Sequence, residues 1–318
     1  MYATITPELF ADKYCTVDRV FSRSISNKTD LCMSGKKLSE SAVLPGSFHV
    51  TEKLDGVRCI AFCDRGGVIL MSRNGNMIRG CLNVRLEIIH MGFNGVLDGE
   101  LIAVPLPGES RKRTYERTRA DLQAGRGEMR FHVFDVLSCD EYCMRQSVTP
   151  YIQRRAALDD LSKRLSVNSP VQVVPVLYHG QDVEKARRLM RDVVGRGGEG
   201  VMVNLSSAAY EFRRTSVLLK LKPVNVVDLR IVDVLPGTGR NTGKAGAIVV
   251  DYCGERVGVS SGLSDGLRKA IFANPEKYIG RVASVRYAEE SANAAGKVSL
   301  RFPSFVEVRE IGKEPSFD

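Results

Sequence analysis

Between residues 50 and 140 the apolar positions fall into short runs, VRCIAFCD, GVILMSRNG, GVLDGELIAV and MRFHVFDVL, each bounded by Gly, Asp or Asn. Short β-rich runs closed off by turn-forming residues predict antiparallel strands joined by tight connections. Two later stretches change period. Over 151–165, Ile152, Ala156, Leu158, Leu161 and Leu165 recur at three- and four-residue spacing, and over 183–194 Val183, Ala186, Leu189, Met190 and Val193 do the same. That spacing puts the apolar side chains on one helical face, so both stretches predict helices. The first part of the chain is therefore expected to be an α+β unit built on antiparallel sheet.

Pro223 interrupts the pattern, and beyond it come DLRIVDVL, GTGRNTGKAG, AIVVDYCG, RVGVSSG, RVASVRYAEE and LRFPSFVEVRE. About five strands separated by Gly-rich turns suit a small β-barrel of the oligonucleotide-binding (OB) kind. The expected division is residues 1–224 and 225–318, with the connection near 223–226. No internal repeat relates the halves.

Composition narrows the class. A chain of 318 residues with 43% hydrophobic and 26% charged residues can bury a core and has room for two domains. No stretch approaches the roughly 20 apolar residues of a membrane helix, and the opening MYATITPELFADKY lacks a basic region followed by an apolar one. A soluble, cytoplasmic protein is expected. The eight cysteines, at 15, 32, 59, 63, 81, 139, 143 and 253, form no CxxC pair, and the four histidines stand apart from them. Reduced thiols and no structural metal are expected. Lys plus Arg exceed Asp plus Glu by 46 to 37, a net charge of +9 that suits a polyanionic partner. The run Arg111, Lys112, Arg113, Arg117 and Arg119, and the pair Arg154 and Arg155, read either as a phosphate track or as solvated helix faces.

The chemistry concentrates in TEKLDGVR, where Lys53 is followed by the turn-forming Asp-Gly pair and then by Arg58. Lys53 is a candidate nucleophile facing a phosphate. A protonated amine attacks poorly, and Arg58, Lys220 and Lys222 are the candidates to supply charge that favours the neutral form. An exposed hairpin is the alternative reading of the string taken alone. Four further segments follow in order: LDGE ending at Glu100, FHVFD ending at Asp135, GGEGVMV around Glu199, and LLKLKP carrying Lys220 and Lys222.

With these five segments in this order, the chain resembles the covalent nucleotidyltransferase superfamily, specifically the ATP-dependent DNA ligases, and looks most like the compact phage-type members. The resemblance runs from about residue 50 to 310. It implies an adenylation domain followed by an OB domain, with Lys53 as the adenylated lysine, Arg58 on the AMP phosphate and Glu100 on the ribose hydroxyls. Phe134 and Met202 would grip the two faces of adenine; their alternative is ordinary strand core. Glu199, with Glu100, would contact a divalent cation, Mg or Mn. Lys220 and Lys222 would contact the ATP phosphates, and Thr51 and Glu52 flank the site. Arg214 sits where the family has an arginine in a GRS-like turn, although Arg213 replaces the glycine.

Arg73 in SRNGN matches the arginine that, in these ligases, grips the 5′-phosphate of the nick; a turn arginine in solvent is the alternative. GLSDGLR and LRFPSFVEVRE resemble the OB domain of phage-type DNA ligases, which favours DNA over RNA. The family's final R-x-D-K motif is altered: Arg309 is followed by Glu310, Ile311, Gly312 and Lys313. The resemblance implies a monomer that uses ATP to seal nicked duplex DNA in replication, repair or recombination, with the OB domain swinging about the linker between steps. The stretch before Lys53 is too short for a separate encircling domain. An RNA ligase, an mRNA-capping guanylyltransferase and a noncatalytic nucleic-acid-binding protein are the alternatives.

Overall fold

The computed structural model of the protein describes residues 31–39, 42–64, 67–287, 289–292 and 297–316. The opening segment, with Cys15, lies outside them. The chain divides into one unit that ends at Pro223 and a second that starts at Val224.

The first unit contains two five-stranded sheets. One is ordered β4 (Gly67–Ser72), β3 (Val57–Asp64), β5 (Gly95–Ala103), β6 (Met129–Leu137) and β7 (Val171–Val173). Its strands β3 to β6 are the four apolar runs. In β3, Cys59, Ala61 and Cys63 pack into one core cluster while Ile60 and Phe62 pack into another on the opposite face. Coverage on both faces is the reason the run is continuously apolar instead of alternating. The other sheet is ordered β1 (Ser34–Lys37), β10 (Arg214–Leu221), β9 (Val201–Leu205), β2 (Phe48–Glu52) and β8 (Val176–Gly180). Pairing is antiparallel except for β1 with β10 and β6 with β7, which run parallel.

The helices differ from the periodic reading in number. Those expected at 151–165 and 183–194 form as Tyr151–Ser162 and Val183–Gly195. Three more are described, Leu82–His90 (α1), Arg111–Ala124 (α2) and Cys139–Met144 (α3); no apolar period marks them, and only the basic run on α2 carries a helical reading in the sequence. Helix α2 escapes a hydrophobic-period search because it packs through threonines. Thr114 and Thr118 are buried, and Thr118 Oγ1 accepts from the Ala103 amide on β5 at 2.9 Å. The basic run on α2 thus starts from a true N-cap, with Ser110 Oγ accepting from Arg113 N.

Neither reading of Arg154 and Arg155 holds, because both lie buried on Tyr151–Ser162 (α4). Arg154 bridges to Asp135 through two bonds, of 2.7 and 3.0 Å, with both side chains 2% exposed. A buried cation needs such a partner, since leaving the carboxylate uncompensated costs several kcal/mol, on the order of 3 to 5.

In the second unit, β11 (Asn225–Pro236) is long enough to pair along one half with β12 (Ala245–Tyr252) and along the other with β14 (Val282–Tyr287). With β13 (Glu255–Val259) and β17 (Ser304–Val308) the order is β13-β12-β11-β14-β17, and β15 (Glu289–Ala292) with β16 (Val298–Arg301) forms a separate hairpin. One apolar cluster fills the interior. Among the described residues the expected barrel is not closed along its length. The edge strands meet only near Ser261, which forms a single parallel bridge to Ser304 and accepts from Phe305 N at 2.9 Å. The reason is that β13 ends at Val259 and the chain then enters a helix, Asp265–Ala273 (α6). On α6 the buried Arg268 donates to the carbonyls of Ala245, Gly246, Ser260 and Leu263, which ties the helix to the sheet.

Candidate active site

A cavity of about 710 Å³ in the first unit is lined by residues of β1, β2, β3, β5, β6, β9, β10, α2 and α4 together with the end of β4 and the turn after it. Of the residues singled out from sequence, Thr51, Glu52, Lys53, Arg58, Arg73, Glu100, Phe134, Met202 and Lys220 all line it. Glu199, Lys222 and Arg214 are not in the lining but connect to it through charge.

Lys53 follows directly on β2, and two glycines shape its turn. A Cβ on Gly56 would sit 2.5 Å from the Leu101 carbonyl, so only glycine lets the chain cross β5 there. Gly200, at φ 145°, would place a Cβ 2.3 Å from the Leu221 carbonyl. Its own carbonyl accepts from Lys53 N at 2.8 Å. The backbone of Lys53 is thereby fixed to the start of β9.

Lys53 Nζ donates to Glu199 Oε2, and Lys222 Nζ lies 3.9 Å from Glu199 Oε1. Glu199 therefore stands between the two ammonium groups, partly exposed. Lys220 is half-buried. Burial first, then the charges of Arg214, Lys53 and Lys222, hold its amine below the usual lysine value. A cluster of cations with one intervening carboxylate is poised for a polyanion, whose charge would relieve their mutual repulsion.

Arg58, of which a phosphate contact is expected, lines the cavity and is anchored from behind. Its Nε and Nη2 both donate to the fully buried Asp98, at 2.5 Å each, and Nη2 also reaches the Met33 carbonyl at 3.2 Å. The guanidinium lies 4.5 Å from the centre of the Phe134 ring. Tyr210 completes the clamp, donating to Asp98 at 2.6 Å and accepting from Met33 N at 2.9 Å. The arrangement backs Phe134 with a fixed cation. Asp98, Tyr210 and Met33 were not legible as site residues; the only hint was the Asp of LDGE two positions before Glu100.

Phe134 and Met202 each stand partly exposed between buried neighbours on their strands, and both line the cavity, while Met202 also packs against the core cluster that holds Ile60 and Phe62. Two flat-packing apolar side chains at a cavity wall suit an aromatic base. Glu52 is held at the rim by Arg111 at 3.0 Å and Arg196 at 3.1 Å. In the basic run of α2, Arg117 pairs with Glu109 at 2.7 Å, whereas Tyr115 and Arg119 line the cavity.

Burial pushes the Glu100 carboxyl up to about 7, against the lowering effect of Arg58 and Lys53. If the ionised form is the acceptor for ribose hydroxyls, nucleotide use should improve as pH rises through that value. We expect the KM for ATP to fall about tenfold between pH 6 and 8, following the ionised fraction, and the change to flatten in Glu100→Gln. Initial rates of nick sealing at several ATP concentrations and pH values measure it; equal pH dependence in both proteins would remove Glu100 as the titrating group.

A divalent cation is tested by the donor set. Among the described residues no group of three or more His, Cys, Asp or Glu side chains converges. Glu199 beside the cavity still fits Mg²⁺, which typically binds one or two carboxylates and completes its shell with water and substrate phosphates. In the second unit Arg309 pairs with Glu307 at 2.7 Å and Asp228 at 3.3 Å. Lys313 closes a turn on Glu310.

Comparisons with known proteins agree with this geometry. Residues 31–222 match the family model described as ATP dependent DNA ligase domain, and residues 236–309 match one described as DNA ligase OB-like domain. The chain is 32% identical over 260 residues to a probable DNA ligase of Streptomyces coelicolor, covering 76% of this chain and 48% of the relative. It is 25% identical over 339 residues to a DNA ligase of Methanothrix thermoacetophila, covering 96% and 60%. The chain thus spans about half the length of the curated relatives it matches. Among solved structures, one from a study of Lig E DNA ligases shares a TM-score of 0.58 at 22% identity, covering 87% of this chain and 98% of that one. The ATP-dependent DNA ligase of bacteriophage T7 in complex with ATP gives 0.54 at 18%, covering 89% and 100%. At those identities the likeness is one of fold.

Proposed function

The chain belongs to the ATP-dependent DNA ligase family, and on that premise we propose that it seals nicks in duplex DNA through an AMP carried on Lys53. The observation that carries the reading is the cavity itself. Lys53 stands beside Glu199 and close to Lys220 and Lys222, and the same cavity holds Glu100, Phe134 and Met202.

The order along β10 gives the nucleotide its direction. Lys222, just beyond the strand, and Lys220 offer charge at one end, and the cavity-lining Leu218 offers apolar surface two residues back. The triphosphate belongs at the lysine end and the base at the Leu218 end. Lys53 Nζ attacks the α-phosphorus, the bond to pyrophosphate breaks, and the amine loses its proton as the phosphoramidate forms. A 5′-phosphate oxygen at the nick then displaces Lys53 and takes AMP. Finally the 3′-hydroxyl attacks the phosphorus of the nick's own 5′-phosphate, the phosphodiester forms, the phosphoanhydride bond breaks and AMP leaves. Each step is an in-line transfer in which positioning and charge neutralisation supply the catalysis. A divalent cation, held by Glu199 with Glu100 as a second carboxylate, supplies neutralisation of the triphosphate when bound.

No helix among the described residues is long and apolar enough to cross a membrane. The test is one sealing assay on a 5′-phosphorylated nick in DNA and in RNA, with ATP, GTP or NAD supplied separately. Closure of nicked DNA with ATP alone is expected. Labelling by GTP without sealing would replace the reading with a capping activity, and sealing confined to RNA would make the chain an RNA ligase.

A further inference from the structure

Asn204 lines the cavity although nothing in the sequence motifs assigns it a role. It is 8% exposed, and its Oδ1 is buried with no hydrogen-bond partner among the described residues. Such an orphan is costly, and in a native protein it asks for a reason.

Neither neighbour across the sheet is its partner. On β10 it stands opposite Leu218, which has no polar side-chain atom. On β2 it stands opposite His49, whose Nδ1 is taken by Ser206 Oγ at 3.0 Å and whose ring stacks on His179 at 4.0 Å. The open side is the cavity.

Position says what belongs there. Residues two apart on a strand share a face, so Asn204 sits on the Met202 face, about 7 Å further along β9. Across the sheet Met202 is level with Lys220 and Asn204 is level with Leu218. Moving from the lysine end towards the apolar end, a nucleotide would present its phosphates, then its base between Phe134 and Met202, and last the far edge of that base. A carboxamide carries an acceptor and a donor in one plane, which matches the amino group and adjacent ring nitrogen of adenine.

We infer that Asn204 is a specificity-determining residue that accepts a hydrogen bond from the exocyclic amino group of adenine. The inference rests on the nucleotide reading proposed above and adds to it the group that reads the base edge. A site built around a polar contact discriminates strongly against an analogue that lacks it, because the protein atom is then left unpaired.

The experiment compares ATP with purine riboside 5′-triphosphate, which lacks only the amino group, in self-labelling of the full chain. The unmutated protein should prefer ATP by roughly tenfold or more in kcat/KM, as one hydrogen bond to a buried acceptor implies. Asn204→Leu should bring the two nucleotides to within about threefold by losing efficiency with ATP only. Asn204→Asp, which keeps an acceptor, should retain the preference, and thermal melting of each variant checks the fold. A preference that survives in Asn204→Leu, or an equal loss for both nucleotides in a folded Asn204→Leu, overturns the assignment. So does a preference lost in both variants alike. Absence of any label in the unmutated protein would instead sink the ligase reading, so the two failures are distinct.

Discussion

Lys53→Ala abolishes the covalent, acid-labile AMP label that the unmutated protein acquires from α-labelled ATP and a divalent cation. The expectation rests on chemistry that no neighbour can take over. The first step needs a nitrogen nucleophile at the α-phosphorus, and the phosphoramidate it forms is itself the labelled species. Lys220 and Lys222 are amines too. Lys220 projects from a strand that pairs with β9, at the level of Met202, whereas Lys53 is held by its own backbone bond to Gly200 and faces Glu199. Lys53 also follows directly on a strand whose last turn is fixed by Gly56, so its place does not depend on the side chain removed. The variant should therefore fold. The label is counted after denaturation, with a melting curve alongside. Undiminished labelling would remove Lys53 from the mechanism.

Arg73→Ala should leave that first step largely intact and slow sealing by roughly 30- to 1000-fold, equivalent to about 2 to 4 kcal/mol in the transition state. Arg73 sits in the exposed turn after β4, at the cavity, and makes no hydrogen bond or ion pair among the described residues. An arginine fixed by nothing else at the edge of a phosphate-handling cavity can make a bidentate contact with an incoming phosphate. Its partner is the DNA end and not ATP, which is the reason the two steps separate. Self-labelling and single-turnover sealing of a preformed adenylate on a 5′-phosphorylated nick are measured independently. Sealing at the unmutated rate would make Arg73 an ordinary surface residue and place the nick phosphate elsewhere.

The contrast with Arg58 shows where sequence reasoning stops. Arg58 lies on β3 and Arg73 in the turn after β4, both near Lys53 in the chain, and the resemblance assigns both to phosphate. Only the fold reveals that Arg58 faces a buried carboxylate 40 residues away and backs Phe134, whereas Arg73 is left open. Arg154 and Arg155 make the same point from the opposite side, since a basic pair in a helical stretch looks solvated until its buried partners are known.

What the sequence determined by itself were the features written in local period and order. The four apolar runs became β3 to β6, the two periodic stretches became helices, and the ordered motifs brought nine of the residues named from them to one cavity. Those follow from the alternation of side chains along a strand or helix, which a single segment encodes. Tertiary structure alone decided the rest. Met33 N meets Tyr210 across 177 residues, and Arg58 meets Met33 across 25. Helix α2 is packed by threonines against β5, the β-sheet of the second unit stops short of a closed barrel at Ser261, and Asn204 Oδ1 is left without a partner among the described residues while the Nδ1 of His49 opposite it pairs with Ser206. Each depends on which distant groups share a buried, low-dielectric space, where every polar atom must find a partner or a ligand, and no local pattern carries that information.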